Sequence, residues 1–496
     1  MTTLSKKSVV QASRGSHQPT AWVHWKRSDY YHPDLPLFKR GVERWAIDFS
    51  FKEQFQDNAQ QALIDYGLVQ DPHALRVITD FSVANQHPKD SSDVPILAKQ
   101  YRAFIETKQR HCIEIRDSYP LHPKWSAWRR RMIGATFWRD SAQKHMKLVH
   151  APFTIELTKG CTVGCWFCGV DAEKYQGHLE INGRTEQIWR SMLEGFRDIA
   201  GTESAQHGFC YWATDPLDHP EYEWFLEHFH DILGFWPQTT TAQGMKHAER
   251  MRRLFRTLKT KNSFIQRFSM TRSTDFNAIH DFFTPEELFL CELIPQFDDR
   301  LAQKATAGRV RTLVLKKQRE NKPINFKHDL EATGSIACVS GFLGNLMQQS
   351  LKLITPCAAT DRWPLGYRIL DERHFEHPED IQPLMQEMLD TSLNVHLLPE
   401  DQLIPFPGVK FGSENEDKLT ISRHGYKKIF SGVSKAESLA EILNNSPITV
   451  QDCCGSRQRQ GIDPIQTGLT LTRLFQCGIF DEQVIDDHRA ICRGNS

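Results

Sequence analysis

The sequence predicts an α/β protein built on a partial (β/α)6 TIM-like barrel, with an N-terminal helical region and a small C-terminal α+β module. From Pro152 onward, short apolar strands alternate with longer amphipathic helices, a pattern typical of repeated βα units around a parallel sheet. Only about six such units fit before Leu370, which is too few for a closed eight-stranded barrel. The 496 residues also exceed one domain, because domains hold roughly 100–200 residues.

The composition excludes several functional classes. Lys+Arg and Asp+Glu both number 61, so the net charge is zero and no overall field favours nucleic acid or an anionic membrane. The N-terminus lacks an apolar signal-peptide segment, so we expect a cytoplasmic protein with no nucleic-acid or membrane partner. In a reducing compartment, the 12 cysteines are small apolar residues, metal ligands or reactive thiols rather than disulfides.

The pattern divides the chain into five segments, in chain order. They are a disordered tail (1–20), a helical region (21–150), the barrel (151–370), a linker with helix (371–405) and the C-terminal module (406–496). In the helical region, the run Arg129, Arg130 and Arg131 is predicted to be a solvated helix face, with contact to an acidic peptide as the alternative.

Barrel strands are predicted from short apolar runs that precede helical patterns. The strands are Phe153–Leu157, His207–Trp212, Pro237–Thr241, Phe264–Met270, one near Ser335–Val339, and Leu351–Thr355. Helices Thr185–Ile199 and Tyr222–Leu233 lie between them.

After Pro405 the pattern changes to a hairpin followed by three short helices around Ala436–Leu443, Thr449–Cys454 and Thr467–Cys477. Between Lys410 and Glu482 there are nine basic and nine acidic residues. This neutral balance weighs against a DNA-binding winged helix, which needs a basic face. A peptide-binding module is favoured, and a winged-helix-like fold stays the alternative.

Cys161, Cys165 and Cys168 form a C-x3-C-x2-C motif directly after a predicted strand. Three thiolates on one loop can bind one face of an iron–sulfur cubane and leave the fourth iron open. Gly160, Gly164 and Gly169 permit the turns and close backbone approach that this needs. A structural zinc site would require a fourth Cys or His at recognisable spacing, and none follows.

The motif resembles the signature of the radical S-adenosylmethionine (SAM) superfamily, C-x3-C-x-aromatic-C, with Phe167 as the aromatic residue. The resemblance implies a [4Fe-4S] cluster on the three cysteines, S-adenosyl-L-methionine chelated to the unique iron, and reductive cleavage to a 5′-deoxyadenosyl radical. It also implies an electron donor such as flavodoxin or ferredoxin.

Further SAM contacts follow from this resemblance and from position on the barrel. Thr214 and Asp215 stand where the superfamily has a Gly-Gly-Glu-like turn, with a helix N-cap as the alternative role. Ser269 and Arg272, at the end of the fourth strand, are expected to contact the SAM ribose and carboxylate. Thr239–Thr241 is a weaker ribose candidate.

Between Phe153 and Leu370, the segments KGCTVGCWFCG, YWATDPLDHPEY, IACVSGFLGNLMQQSLKLITPC and DRWPLGYRI resemble the proteusin-type radical SAM peptidyl epimerases that mature ribosomal peptides. The resemblance implies conversion of L- to D-residues in a precursor peptide by removal of the Cα hydrogen. Inversion then needs a second hydrogen donor, and a cysteine S–H is weak enough to serve. Cys357 is the first choice because it ends a predicted strand, and Cys338 is the alternative.

The C-terminal tail has too few well-spaced cysteines for a further cluster, and it loosely resembles leader-peptide recognition (RRE-like) modules, which add the leader as an extra strand. Another radical SAM peptide maturase, forming thioether or carbon–carbon crosslinks or excising a residue, is the alternative function. A redox-sensing regulator is a third reading, which the neutral tail disfavours.

Overall fold

The computed structural model describes residues 32–80, 93–140, 148–263, 265–302, 304–324, 326 and 335–481. The predicted disordered tail (1–20) and Cys492 lie outside these ranges. All described cysteines are free thiols. Within these residues, no helix combines the length and apolar character needed to cross a membrane.

The N-terminal region is helical, as its apolar spacing at three and four residues predicts. Its helices are α1 (Leu35–Ile47), α2 (Phe49–Asp57), α3 (Ala59–Asp65), α4 (Pro72–Thr79), α5 (Ile96–Asp117) and α6 (Pro123–Arg139). The apolar faces of α1 to α5 form one core with Phe235, Ile265 and Phe289, each of which precedes a strand or strand-like segment of the central region. Helices α1–α5 therefore pack at the amino ends of the central strands.

The arginine run on α6 does not form the predicted solvated face. Arg129 and Arg131 are buried, and the Arg129 guanidinium donates to the carbonyls of Ile115, Ser118 and His150 at 2.6–3.0 Å. Burial lowers the pKa of Arg129 to about 10. The side chain satisfies carbonyls at the end of α5 that would otherwise lack donors.

The central region contains β1 to β9 and α7 to α13. In chain order they are β1 (Ala151–Glu156), β2 (Thr158–Lys159), β3 (Gly177–His178), α7 (Gly183–Ala200), α8 (Thr202–Ala205), α9 (Tyr222–Leu233), β4 (Thr240–Thr241), α10 (Ala248–Leu258), β5 (Gln266–Met270), α11 (Ser273–Phe282), β6 (Cys291–Pro295), α12 (Gly308–Arg319), β7 (Val339–Asn345), β8 (Ser350–Pro356), β9 (Tyr367–His374) and α13 (Ile381–Ser392).

Parallel pairing dominates the first part of this region. Strand β1 pairs with β7 and has a parallel bridge from Thr154 to Phe209 on its other side, while β4, β5 and β6 form a separate parallel sheet. The predicted strand His207–Trp212 has only that bridge, and Pro237–Thr241 is a strand only at Thr240–Thr241. A partial barrel that unites these pieces stays a prediction.

Strands β7, β8 and β9 form an antiparallel meander, which differs from the expected βα units. The predicted strand near Ser335–Val339 begins only at Val339, and Leu351–Thr355 is the returning arm of a hairpin. Because β8 runs opposite to β7 and β1, its carboxyl end lies beside the amino end of β7. The argument that put Cys357 at the carboxyl edge of a parallel sheet is therefore wrong. Strand β9 also crosses residue 370, where the barrel was expected to end.

The C-terminal module is a small α+β unit with its own core. It contains β10 (Gln402–Leu403), β11 (Lys410–Asn415), β12 (Lys418–Arg423), β13 (Tyr426–Ser431), α14 (Ala436–Asn444), β14 (Ile448–Thr449), α15 (Val450–Gln458) and α16 (Pro464–Gln476). The expected hairpin is part of a three-stranded antiparallel sheet, in which β13 is an edge strand. Ala135 and Trp138 of α6 join this core, which fixes the module against the rest of the chain.

Candidate functional site

The three motif cysteines lie on one loop that follows β1. Strands β2 and β3 pair antiparallel, with Thr158 opposite His178, and close this loop at its base. The Cys161 N–H donates to the Glu173 carbonyl at 2.9 Å just inside that neck. The cysteines therefore occupy a closed loop beyond the carboxyl end of β1, which we call the cysteine loop (160–176).

Two glycines of the cysteine loop lie in close contact with other parts of the chain. Gly160 has a φ of +77°, and a Cβ there would lie 2.3 Å from the Lys174 carbonyl oxygen. A Cβ on Gly169 would lie 2.9 Å from the Ile336 side chain, which would have to move. These contacts match the close approach expected from the sequence, and the contact with backbone makes glycine necessary at position 160.

The thiols are half-buried and receive donors from the loop backbone. Val163 N–H points at Cys161 Sγ at 3.4 Å, and Ala172 N–H at Cys168 Sγ at 3.3 Å. Burial raises the pKa of Cys161 and of Cys165 to about 11, and for Cys165 the neighbouring Cys161 and Cys168 act in the same direction. Three thiols close enough to influence one another are the donor set that an iron–sulfur cluster uses.

The donor set fits a cluster, although the loop is not closed around one. Across the described ranges, no three His, Cys, Asp or Glu side chains are drawn together as in an occupied metal site.

Arg309, in the first turn of α12, clamps the far side of the cysteine loop. Its Nη1 donates to the Cys165 carbonyl at 2.8 Å, its Nη2 donates to the Ala172 carbonyl, and its Nε meets Asp171 at 3.0 Å. Its own N–H donates to the Cys168 carbonyl at 3.0 Å. One side chain thus fixes three parts of the loop.

Asp218 holds the near side of the loop. Its carboxylate accepts from the Thr162 N–H and hydroxyl at 2.9 and 2.6 Å, and from Gln243 Nε2 at 2.7 Å. Asp218 thereby holds Thr162, the residue after Cys161, against Gln243, which follows β4.

Asp215 and Thr214 are engaged by the chain itself. The Asp215 carboxylate accepts from Leu217 N–H, Thr241 Oγ1 and Ala242 N–H at 2.8–3.1 Å. It therefore acts as the N-cap, the alternative role given from the sequence, of the short helical turn Pro216–Asp218. Thr214 shares a hydroxyl contact with Thr158. Burial raises the pKa of Asp215 to about 6. Both residues position the loop beside the cysteines.

Ser269 and Arg272 line a pocket of about 280 Å³ that also includes Thr162 and Val163 of the cysteine loop. Thr241 contributes to the same wall. The structure therefore brings together the residues expected at the SAM ribose and carboxylate and the residues next to Cys161. The Arg272 side chain pairs with Asp275 at 3.0 Å. Because it is exposed at the rim of the pocket, it can reach an anion there.

Phe167, the motif aromatic, lies under a cation. The Lys304 ammonium is 4.8 Å from its ring centroid and donates to Gln296 Oε1 at 2.9 Å and to the Ala302 carbonyl at 2.8 Å. This cation–π contact anchors the motif between Cys165 and Cys168 to the segment before α12.

The structure does not bring Cys338 or Cys357 into the pocket lined by Ser269 and Arg272. Cys338 lines a separate cavity of about 100 Å³, together with Tyr211 and Arg267. Cys357 is buried, and its Sγ lies 3.2 Å from the Ala358 carbonyl. Burial raises the pKa of both thiols to about 11, which keeps the S–H intact near neutral pH.

One carbonyl nevertheless connects the segment around Cys338 with the segment around Cys357. Each of these segments is also in contact with the cysteine loop or with the residue before Arg309. The Gly366 carbonyl accepts from Cys357 N–H at 3.0 Å and from Ser335 Oγ at 2.6 Å. From the Cys357 side, the Pro364 carbonyl accepts from Gly308 N–H at 2.8 Å, next to Arg309. From the Cys338 side, Ile336 packs on Gly169.

Sequence reasoning missed Arg309, Asp218 and Glu156. Glu156, the last residue of β1, is buried and accepts from Ala213 N–H at 2.7 Å and Asn345 Nδ2 at 2.8 Å. Burial raises the pKa of this carboxyl. An acidic residue ending an apolar strand was the available signal for Glu156, whereas Arg309 on a basic helix gives none.

The chain is 34% identical over 480 residues to the uncharacterized protein y4wI of Sinorhizobium fredii, and the match covers 93% of this chain and 90% of that protein. The chain belongs to the same family as y4wI. The coverage means that family membership extends to the helical region, the central region and the C-terminal module. No family model matches the chain, and no solved structure matches it.

Proposed function

We propose that this protein is a radical SAM enzyme that epimerises L- to D-residues in a ribosomally made precursor peptide. One observation carries the proposal: the C-x3-C-x2-C thiols lie on a closed loop that forms one wall of a 280 Å³ pocket with Ser269 and Arg272. A partial barrel is the fold that we propose for the central region. Strand β1 pairs in parallel with β7, and β4, β5 and β6 pair in parallel with one another. A cytoplasmic location follows from the need for a reducing environment.

Cys161, Cys165 and Cys168 would hold the 4Fe–4S cluster, and SAM would occupy the pocket beside them. When bound, the two supply a 5′-deoxyadenosyl radical that removes a substrate Cα hydrogen. The chain positions the reactants: Arg309 and Asp218 hold the cysteine loop, Arg272 meets an anionic group at the rim, and Asp215 fixes the pocket floor through Thr241.

A thiol would complete the inversion by giving its hydrogen atom to the opposite face of the Cα radical, and a one-electron reductant together with a proton would then restore the S–H from the thiyl radical. Cys357 is the donor that we propose, because its loop connects through Pro364 and Gly308 to the cysteine loop. Cys338 instead faces the separate cavity of about 100 Å³. The high pKa of both thiols favours the protonated S–H that hydrogen donation requires.

The decisive experiment is to co-express the protein with its precursor peptide in deuterated medium and to weigh the product. Epimerisation through an exchangeable thiol is expected to add one mass unit, about 1 Da, at each altered residue because the S–H equilibrates with solvent. D-residues after hydrolysis and an otherwise unchanged composition complete the expected result. An altered residue that stays L, or that carries no deuterium, would contradict the proposal.

The position of the two thiols supports a second candidate. Because neither thiol lies in the pocket of Ser269 and Arg272, a maturase that crosslinks or excises residues without a thiol donor fits the same cysteine loop. In the deuterium experiment such an enzyme would produce a peptide that has lost hydrogens or a fragment, with no D-residue.

The C-terminal module offers an edge for the leader of the precursor. Among the described residues, strand β13 pairs only with β12, and its first four residues are exposed. The last turn of α16 meets the other end of the strand, where Arg473 Nη1 donates to the Ser431 carbonyl at 3.1 Å. Ile429 on β13 is 45% exposed. An edge strand with an exposed apolar side chain is suited to strand addition by a peptide.

Ile429→Asp is therefore expected to weaken binding of the leader peptide by about tenfold or more, which corresponds to about 1.4 kcal/mol. Fluorescence anisotropy with a labelled leader measures the effect. Ile64→Asp is the matched control, since Ile64 on α3 is 47% exposed and lies far along the chain from the module. Equal affinity of the I429D variant and the unaltered protein would remove the β13 edge as the leader site.

A further inference from the structure

Helix α12 has an unusual charge distribution for this chain. Its sequence GRVRTLVLKKQR carries Arg309, Arg311, Lys316, Lys317 and Arg319 and no acidic residue, whereas the whole chain has a net charge of zero. The first two cations are paired, Arg309 with Asp171 and Arg311 with Asp361. The last turn of the helix therefore provides the concentrated positive charge.

This basic turn is continuous with the cysteine loop. Lys317 Nζ lies 6.0 Å from the Phe326 ring, and Phe326 lies 5.1 Å from the Trp166 ring. Trp166 follows Cys165 directly and is 46% exposed. At the other end of the helix, Arg309 holds the Cys165 carbonyl. A large exposed aromatic residue beside a basic patch is a typical anchor for a protein partner.

We propose that Lys316, Lys317, Arg319, Phe326 and Trp166, here called the donor face, form the docking surface for a small acidic electron-transfer protein. This inference rests on the proposed function, which consumes one electron at the cysteine loop for each cleavage of SAM. For each SAM that is cleaved, the donor protein loses one electron and the site gains it.

The chemistry of the surface favours this partner over others. Electron-transfer complexes are brief and bury small areas, and opposite charge raises the rate of encounter rather than the lifetime of the complex. A cationic turn that is linked through Phe326 to the exposed Trp166 of the cysteine loop meets both requirements. A chain with no net charge gains such attraction only from a local patch.

The test uses the reconstituted enzyme and an acidic flavodoxin in its fully reduced form. The variant K316E/K317E/R319E is expected to raise the flavodoxin concentration needed for half-maximal 5′-deoxyadenosine formation by at least about tenfold. Formation driven by dithionite, which needs no docking surface, is expected to stay unchanged. Direct binding of oxidised flavodoxin, measured by biolayer interferometry, should weaken in parallel and should weaken with added salt.

The control is R253E/K259E, which reverses two exposed cations, Arg253 on α10 and Lys259 directly after that helix, and it should behave as the unaltered enzyme. Equal flavodoxin dependence of the triple variant and the unaltered enzyme overturns the donor face, as does an equal loss with dithionite or the absence of flavodoxin binding to the unaltered protein. Absence of 5′-deoxyadenosine from the unaltered enzyme with dithionite is a separate result, because it contradicts the proposed function itself.

Discussion

Replacing Cys165 with alanine is expected to deprive the cysteine loop of iron and to abolish 5′-deoxyadenosine formation. Cys165 is the thiol that both Cys161 and Cys168 influence, so its loss leaves two separated ligands for a cluster that needs three from the protein. Iron and sulfide analysis after anaerobic reconstitution should fall from about four per chain to near zero.

Cys454→Ala is the matched control, because Cys454 is also a half-buried free thiol but lies in the C-terminal module. Full iron content in C165A would contradict the cluster assignment.

Arg309→Met provides an intermediate case. It removes the side-chain clamp on the Cys165 and Ala172 carbonyls and leaves all thiols in place. We expect roughly 10- to 100-fold weaker cluster retention, the range for residues that orient metal ligands. Faster labelling of the apoprotein thiols would accompany it.

The local patterns of the sequence were sufficient where one element decides its own structure. Helix α9 has the bounds Tyr222–Leu233 that its apolar spacing predicts, and β5 differs from its predicted strand by two residues at one end. The cysteine loop is similarly local, because its neck, glycines and thiols all fall within the 21 residues from Thr158 to His178. Such features need no knowledge of distant partners.

Strand direction is a different matter. Strands β7 and β8, from Val339 to Pro356, are buried on both faces, and β7 contains Gly341 and Gly344. The sequence therefore lacks the alternation of apolar and polar residues that identifies a hairpin with one exposed face. Whether β8 follows a helix or turns back depends on the short turn at Leu346–Gln349, in which Gln349 adopts a φ of +49°. Asparagine and glycine are the usual residues there, and glutamine gives no such signal.

Long-range polar contacts were equally hidden. Arg129 is predicted to be solvated because it stands in a run of charges, but carbonyls at the end of α5 and at His150 require its guanidinium. Arg309 and Asp218 act on the cysteine loop across 144 and 56 residues of sequence. Side chains of this kind can be recognised only when the fold has placed their acceptors, since a buried carbonyl leaves no trace in composition or periodicity.

Cys357→Ala is expected to abolish formation of D-residues while 5′-deoxyadenosine continues to form. The thiol acts after the Cα hydrogen has been removed, so its loss blocks return of hydrogen and not the preceding cleavage. Chiral amino acid analysis and quantification of 5′-deoxyadenosine in the same reaction separate the two steps. Substrate-dependent formation of 5′-deoxyadenosine without product is the signature that a folding defect would not give.

Cys338→Ala is the matched variant, since Cys338 has a similarly raised pKa and is held through Ser335 to the same Gly366 carbonyl as Cys357. If C338A forms no D-residues and C357A still forms them, Cys338 is the hydrogen donor. The substrate must then bind on the side of the 100 Å³ cavity that Cys338 lines with Tyr211 and Arg267. If neither variant loses product, no thiol of this pair returns hydrogen, and the crosslinking or excising maturase becomes the better account of the same cysteine loop. The two substitutions therefore decide between reactions that share one cluster and one pocket, because only epimerisation needs a hydrogen from the far face of the substrate.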